Sequence, residues 1–309
     1  MALKQALLVC AGFLAIAACE PKEAETTTPT ETASPTETAT PEVVEVAPLE
    51  AAIASEKRVA PERDEWRNPK ETLEFFGVEP GHTVVEIWPG GGWYTSIIGP
   101  YLKSGGGKLY AAGFDTESSE YARAGMARFT ETFVDHPETY GDIEVTVASK
   151  DSEGIAPEGS ADVVLTFRNV HNWVSGDFTE KMIADAYKAL KPGGVLGVVE
   201  HRLPSSVEQD PKASTGYVKE AFVIELAKEA GFQFDGSSEI NANPNDTADH
   251  PFGVWTLPPN SRSAPRGQQP APDFDAAKYL AIGESDRMTL KFVKPAAPAE
   301  PEAAEEASE

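Results

Sequence analysis

An acid followed by a glycine run is the part of this chain best suited to chemistry: Val84–Thr95 reads V-V-E-I-W-P-G-G-G-W-Y-T. The apolar run ends in Glu86, and Pro89, Gly90, Gly91 and Gly92 lead into a helix-like segment. Glycine takes positive φ without steric penalty and lets backbone approach a ligand closely. A carboxylate at a strand end accepts hydrogen bonds from hydroxyls or an amine. Together they suit a cofactor held where a parallel strand turns into a helix. Spacing excludes two common loops. A dinucleotide fingerprint starting at Gly90 needs glycine where Thr95 stands. A phosphate loop ending at Gly107-Lys108 needs glycine at Leu102 and Ser or Thr at Leu109.

Further polar groups follow other apolar runs. Arg168-Asn169-Val170-His171-Asn172-Trp173 comes directly after Asp162–Phe167, and Glu200-His201-Arg202 after Val195–Val199. Asn169 can orient a substrate through its amide. His171 can serve as general base, because an imidazole exchanges protons near neutral pH, or it can cap the following helix. His201 joins the same catalytic candidates. Of five histidines, His171, His201 and His250 all fall at or beyond strand ends. They suit an acid–base pocket, a metal site or separate structural hydrogen bonds. No H-x-x-x-H or H-E-x-x-H spacing is present, so no metal ligands are assigned. Trp88, Trp93, Tyr94 and Trp173 flank these loops, suited either to stacking on a planar or cationic ligand or to core packing. The absence of a G-x-S-x-G elbow argues against a hydrolase.

These groups need a scaffold that brings strand ends together. Strand-like and helix-like segments alternate along the body, which argues for a parallel sheet covered by helices. Strands are expected at Val84–Ile87, Lys108–Gly113, Ile143–Ala148, Asp162–Phe167, Val195–Val199, Phe232–Ile240 and Met288–Val293. Between them, Glu117–Phe133 and Tyr217–Ala230 read as helices. Phe178, Met182, Ile183, Ala186, Tyr187 and Leu190 recur at helical spacing before the stop Lys191-Pro192-Gly193-Gly194.

The pattern acid-x-x-x-Gly-x-Gly (Glu86, Gly90, Gly92) resembles the first motif of class I S-adenosylmethionine-dependent methyltransferases, with Trp88 where the family often has a further glycine. Ala-Leu-Lys-Pro-Gly-Gly-Val-Leu (189–196) and Ala230-Gly231-Phe232 resemble later segments of that family. E-I-W-P-G-G-G-W-Y-T, F-R-N-V-H-N-W and I-G-E-S-D-R-M resemble an exported bacterial branch of predicted methyltransferases. The resemblance covers about 63–295, with 241–287 lacking a counterpart in a minimal member. It implies an α/β Rossmann-like methyltransferase fold: a seven-stranded, mostly parallel sheet with one antiparallel strand and helices on both faces. It implies S-adenosylmethionine as cofactor, held by Glu86, Pro89, Gly90, Gly91 and Gly92, with Asn169 facing the transferred methyl. Asp115 would hold the ribose hydroxyls and Asp151 would meet the adenine. Residue chemistry alone also allows Asp115 as a helix N-terminal charge and Asp151 as a plain loop acid.

Composition frames the rest. The chain carries a formal net charge of −24, and its body stays acidic once the Glu-rich ends are set aside. Such a body repels phosphate backbones, so nucleic acid is not an expected partner. Lys4 and the apolar stretch Ala6–Ala18 read as a signal peptide over 1–18. Ile16-Ala17-Ala18-Cys19 resembles a bacterial lipobox, which implies lipidation of Cys19 and attachment to a membrane. Glu20 then favours the periplasmic face of the outer membrane, by resemblance to sorting rules. The only other cysteine, Cys10, lies in the signal, so disulfides and thiol catalysis are excluded from the body. Residues 19–60 are rich in Thr, Pro and Glu and read as a disordered stalk. Residues 61–295 form the expected domain, and 296–309 a disordered acidic tail.

The leading expectation is methyl transfer to a small-molecule acceptor. Because the cofactor is made in the cytoplasm and the lipobox directs export, two alternatives stand beside it. One is a fold of this kind repurposed as a binding lipoprotein of the cell envelope. The other is a metal-dependent enzyme using the three histidines.

Overall fold

Seven strands form the sheet of the computed structural model, which describes residues 47–296. They are β1 (Thr83–Ile87), β2 (Lys108–Gly113), β3 (Ile143–Val147), β4 (Ala161–Phe167), β5 (Leu190–Leu203), β6 (Gln233–Ser238) and β7 (Arg287–Val293). Their spatial order is β3-β2-β1-β4-β5-β7-β6, and a two-residue strand, Val218–Lys219, pairs beside the end of β5. Strands β1 to β5 run parallel, while β7 is antiparallel to both β5 and β6. This is the expected Rossmann-like, mostly parallel sheet, with one antiparallel strand inserted before the last.

Alternation along each central strand builds two cores, because successive side chains point to opposite faces. Val84 of β1 and Val163, Leu165 and Phe167 of β4 pack with helices Pro69–Phe75, Thr95–Lys103 and Glu120–Phe129. Val85 and Ile87, with Val164, pack on the other face with helices Val170–Gly176, Thr179–Ala189 and Glu220–Glu229. Near-continuous apolar runs in β1 and β4 are what strands buried on both faces require.

Some boundaries differ from expectation. The stalk does not extend to residue 60. Pro48–Ile53 is a helix whose Leu49 and Ala52 are buried in the same core as Ile97 and Leu102. Pro48 sits in the first turn, where its fixed φ suits a helix start. Arg58 ties the following loop down by donating to the Ile53 carbonyl and pairing with Asp64. The signal, Cys19 and the stalk up to residue 46 lie outside the described residues, as does the tail beyond 296. Among the described residues, no helix is long and apolar enough to cross a membrane. The second long helix starts at Glu120, where the Ser119 hydroxyl accepts from Ala122 N–H at 3.1 Å. The helix read from Tyr217 starts only at Glu220, because Val218–Lys219 pairs with β5 first.

Candidate functional site

In open α/β sheets, ligands bind outside the carboxyl ends of the strands, where the strand order reverses. Here that place lies beside β1 and β4. Two bulky residues leave those strands in the left-handed region: Trp88 (φ 50°) after β1 and Arg168 (φ 62°) after β4. Each still donates its N–H to the neighbouring strand, Trp88 to Ala112 O at 2.8 Å and Arg168 to Val199 O at 2.7 Å. Such backbone costs roughly 1–3 kcal/mol per residue and collects at functional sites. Asn169 pins the two ends together, donating from Nδ2 to Ile87 O at 2.9 Å and to Thr166 Oγ1 at 3.2 Å. Its amide nitrogen is therefore committed to the scaffold, and only Oδ1 remains to meet a ligand.

A cavity of about 330 Å³ opens above these strand ends. Glu86, Pro89, Gly90, Gly91, Asn169 and His171 all line it, and so does His201. Gly90 takes φ 59° with open space where a side chain would stand, which leaves bare backbone facing the cavity. Glu86 is buried, and its Oε2 accepts from Thr95 Oγ1 at 2.6 Å. Burial pushes its carboxyl up to about 7, against the lowering effect of the Thr95 hydroxyl. A cationic ligand would restore its charge.

The histidines are oriented by Glu200, which is fully buried at the end of β5. Its oxygens accept from the His171 backbone N–H at 3.2 Å and the His201 backbone N–H at 2.7 Å. His171 Nδ1 lies 3.0 Å from Glu200 Oε1. A carboxylate only accepts, so Nδ1 carries the hydrogen and Nε2 is left as the basic nitrogen. His201 is anchored through Nδ1 to Ser285 Oγ at 2.6 Å, and the two imidazole centroids are 5.3 Å apart. Burial, then His171 and Arg168, hold the His201 ring well below the ordinary histidine range, so it stays neutral near pH 7.

His171, Glu200 and His201 offer atoms within 4.8 Å of one another, the one such buried group among the described residues. Three N–H donors already occupy Glu200, which makes it an orienting group. His250 does not join the other histidines: its Nε2 bonds Asp246 at 2.7 Å and its ring packs on Tyr279. The three-histidine metal site is thus not assembled.

Three cofactor assignments also lie apart from the cavity. Gly92 does not line it; a side chain at Gly92 would come within 2.1 Å of the Phe133 ring, so its role is packing. Asp115 holds its own turn, accepting from Glu117 N–H at 2.9 Å, and Asp151 is an exposed loop acid. Between them stands the Trp88 indole. Its Nε1 donates to Ala148 O, just after β3, at 2.8 Å. Its ring lies 4.6 Å from Phe114 after β2, and 6.2 Å and 5.9 Å from Trp173 and Phe178 after β4. The indole thus covers the ends of β2 and β3. The site fits the amino-acid and sulfonium half of S-adenosylmethionine, through Glu86, bare Gly90 and Gly91 backbone and Asn169 Oδ1.

Residues to which motif reading gave no role also line the cavity. Arg63 and Arg67 arrive from the segment before β1, Glu284 and Ser285 from the turn before β7, and Trp255 and Asn260 from the 241–287 insertion. Glu284 accepts from Arg63 Nε at 2.6 Å, Arg67 Nε at 3.1 Å and Arg287 Nη1 at 3.2 Å. Burial works to raise the Glu284 carboxyl, but Arg67, Arg287, Arg63 and Arg168 outweigh it and hold it below its usual range. The segment I-G-E-S-D-R-M already displayed Glu284, Ser285 and Arg287, although nothing in it pointed to Arg67.

No protein-family model matches this chain, and neither does any curated protein. Among solved structures, it is similar to a SAM-dependent methyltransferase from Aquifex aeolicus at 19% identity, covering 59% of this chain and 88% of the other, with TM-score 0.45. It is also similar to an arsenic(III) S-adenosylmethionine methyltransferase from Chlamydomonas reinhardtii, at 17% identity over 82% of this chain and 75% of that one, with TM-score 0.45. The [4+2]-cyclase SpnF shares 14% identity over 81% of this chain and 93% of its own, with TM-score 0.49. These likenesses concern the fold, and no site residue is carried over from them.

Proposed function

We propose that this chain is an S-adenosylmethionine-dependent methyltransferase acting on a small-molecule acceptor, with His171 as general base. One observation carries the reading: a single cavity at the strand ends joins the glycine loop and buried Glu86 to the Glu200-oriented His171. S-adenosylmethionine, when bound, supplies a methyl group on a positively charged sulfur. Glu86, Gly90, Gly91 and Asn169 would hold its amino-acid half. His171 Nε2 takes the proton that the acceptor loses on methylation, and Glu200 stabilises the resulting imidazolium through Nδ1–H. Trp255 and the insertion around it wall the cavity and limit water. Holding the two reactants in line supplies most of the remaining effect, since orientation alone is worth several kcal/mol. We place the enzyme at the cell envelope, lipid-anchored through Cys19 on the periplasmic face of the outer membrane; this rests on the lipobox-like residues alone.

Trp88 favours a second reading. With the indole bonded to Ala148, the cavity suits a ligand smaller than a nucleoside, as a repurposed binding protein would hold. Titration calorimetry with S-adenosylmethionine, using Glu86→Ala as control, decides between them. Micromolar binding lost in the variant supports the methyltransferase; no binding at millimolar concentration rules it out and leaves the smaller ligand.

A further inference from the structure

The cavity has an excess of positive charge at odds with the chain around it. Four guanidinium groups, of Arg63, Arg67, Arg168 and Arg287, surround the one carboxylate of Glu284. Three of them line the cavity, within a chain of net charge −24. Arg287 is satisfied by Glu284, Ser285 O and Trp66 O. The other three are not. Arg67, 1% exposed, uses Nε on Glu284 and leaves both Nη1 and Nη2 buried without a partner. Its Cζ is seated 4.7 Å above the Trp93 ring, which fixes the plane of the fork. Arg63 likewise leaves Nη2 buried and unbonded. The Arg168 side chain makes no hydrogen bond or ion pair with any described residue, although its strained backbone brings it to this cavity.

A buried donor without an acceptor costs about 1–3 kcal/mol, more when charged, so three such N–H groups in one cavity call for a partner from outside the chain. Planar guanidinium forks match the two oxygens of a carboxylate or the face of a phosphate. We propose that Arg63, Arg67 and Arg168 form an oxyanion subsite that anchors a carboxylate or phosphate group of the substrate beside His171. The proposal deepens the methyltransferase reading by naming the acceptor's class, an anionic small molecule, and it rests on that reading for the word acceptor. Burial and mutual repulsion support it: the Arg67 guanidinium is pulled down to about 9, first by burial and then by Arg168. A bound anion would relieve that repulsion and the part of the His201 depression that comes from the arginines, burial remaining its main cause.

The test is calorimetric titration of the full chain with inorganic phosphate and, separately, with S-adenosylmethionine. Variants are Arg67→Met, Arg168→Met and, as control, the exposed Arg123→Met. The Arg168 guanidinium bonds to no described residue, so its variant remains informative should Arg67→Met fail to fold. Phosphate affinity falling at least tenfold in Arg168→Met, unchanged in Arg123→Met, with cofactor affinity intact, is the expected result. Equal phosphate affinity in Arg168→Met and wild type, or no phosphate binding at all, overturns the subsite. Phosphate competing with S-adenosylmethionine, and both lost together in the arginine variants, would assign the cluster to the cofactor's carboxylate and overturn the substrate assignment. Arginine-dependent phosphate binding without any cofactor binding upholds the subsite and removes only the methyltransferase reading.

Discussion

Replacing Glu86 by Gln should stabilise the protein at pH 8 and not at pH 4. Glu86 is 2% exposed, and the only hydrogen bond to its carboxyl within the described residues comes from Thr95. Burial moves its carboxyl from 4.5 to about 7. Between those values the folded state holds a proton that the unfolded chain has released. Stability therefore falls as pH rises from the unfolded value through the folded one, and stays low above it. One pKa unit corresponds to about 1.4 kcal/mol, so the ionised carboxylate costs the fold roughly 3 kcal/mol above pH 7. Gln keeps the shape, accepts from Thr95 and carries no charge. Urea denaturation of wild type and Glu86→Gln at pH 4, 6 and 8 reads the effect. The variant should gain roughly 3 kcal/mol relative to wild type between the extremes. A difference that does not vary with pH would refute the account of Glu86 as a carboxyl kept at a cost to stability. The same variant should lose affinity for any cationic ligand, which in wild type restores the charge.

Other outcomes follow from particular contacts. Glu200→Gln must present its NH₂ to either the backbone N–H of His171 or the donors now on Oε1. A loss of roughly 1–3 kcal/mol in stability is expected, together with a fall in turnover larger than any change in KM and an altered pH–rate profile. Trp88→Gly relieves a left-handed backbone at φ 50° and removes the indole over the sheet ends; S-adenosylmethionine affinity should rise about tenfold, and an unchanged affinity would show that the indole is no obstacle. Gly92→Ala should cost more than about 2 kcal/mol in thermal or urea unfolding, because φ 75° is strained for alanine and Phe133 fills the space. His201 should remain neutral down to well below pH 6.5 by NMR titration, and adding phosphate should move its midpoint upward.

The framework was legible because it rests on local signals. Val84-Val85 and Val163–Leu165 are apolar on successive residues, as strands covered on both faces require, and both runs lie in central strands. Gly90 and Gly91 announced a bare backbone turn, and His171 and His201 announced a polar mouth; all four meet in one cavity. Residue type and place along the strand were enough for these. They were not enough for Gly92, whose motif position matched while its missing side chain serves Phe133. Asp115 and Asp151 follow strands as expected but do not line the cavity, and the Trp88 indole reaches toward the ends of their strands.

Sequence by itself determined the alternation of strands and helices, the glycine turn after β1 and the polar loops after β4 and β5, because period and turn chemistry act within a few residues. Tertiary structure alone decided which charges share a site. Arg63 and Arg67 stand about 220 residues from Glu284, and no spacing rule links them. Their meeting depends on β7 folding back antiparallel between β5 and β6, which carries the Glu284 turn to the segment that precedes β1. The proton's position on His171 is decided the same way, by a carboxylate from the neighbouring strand.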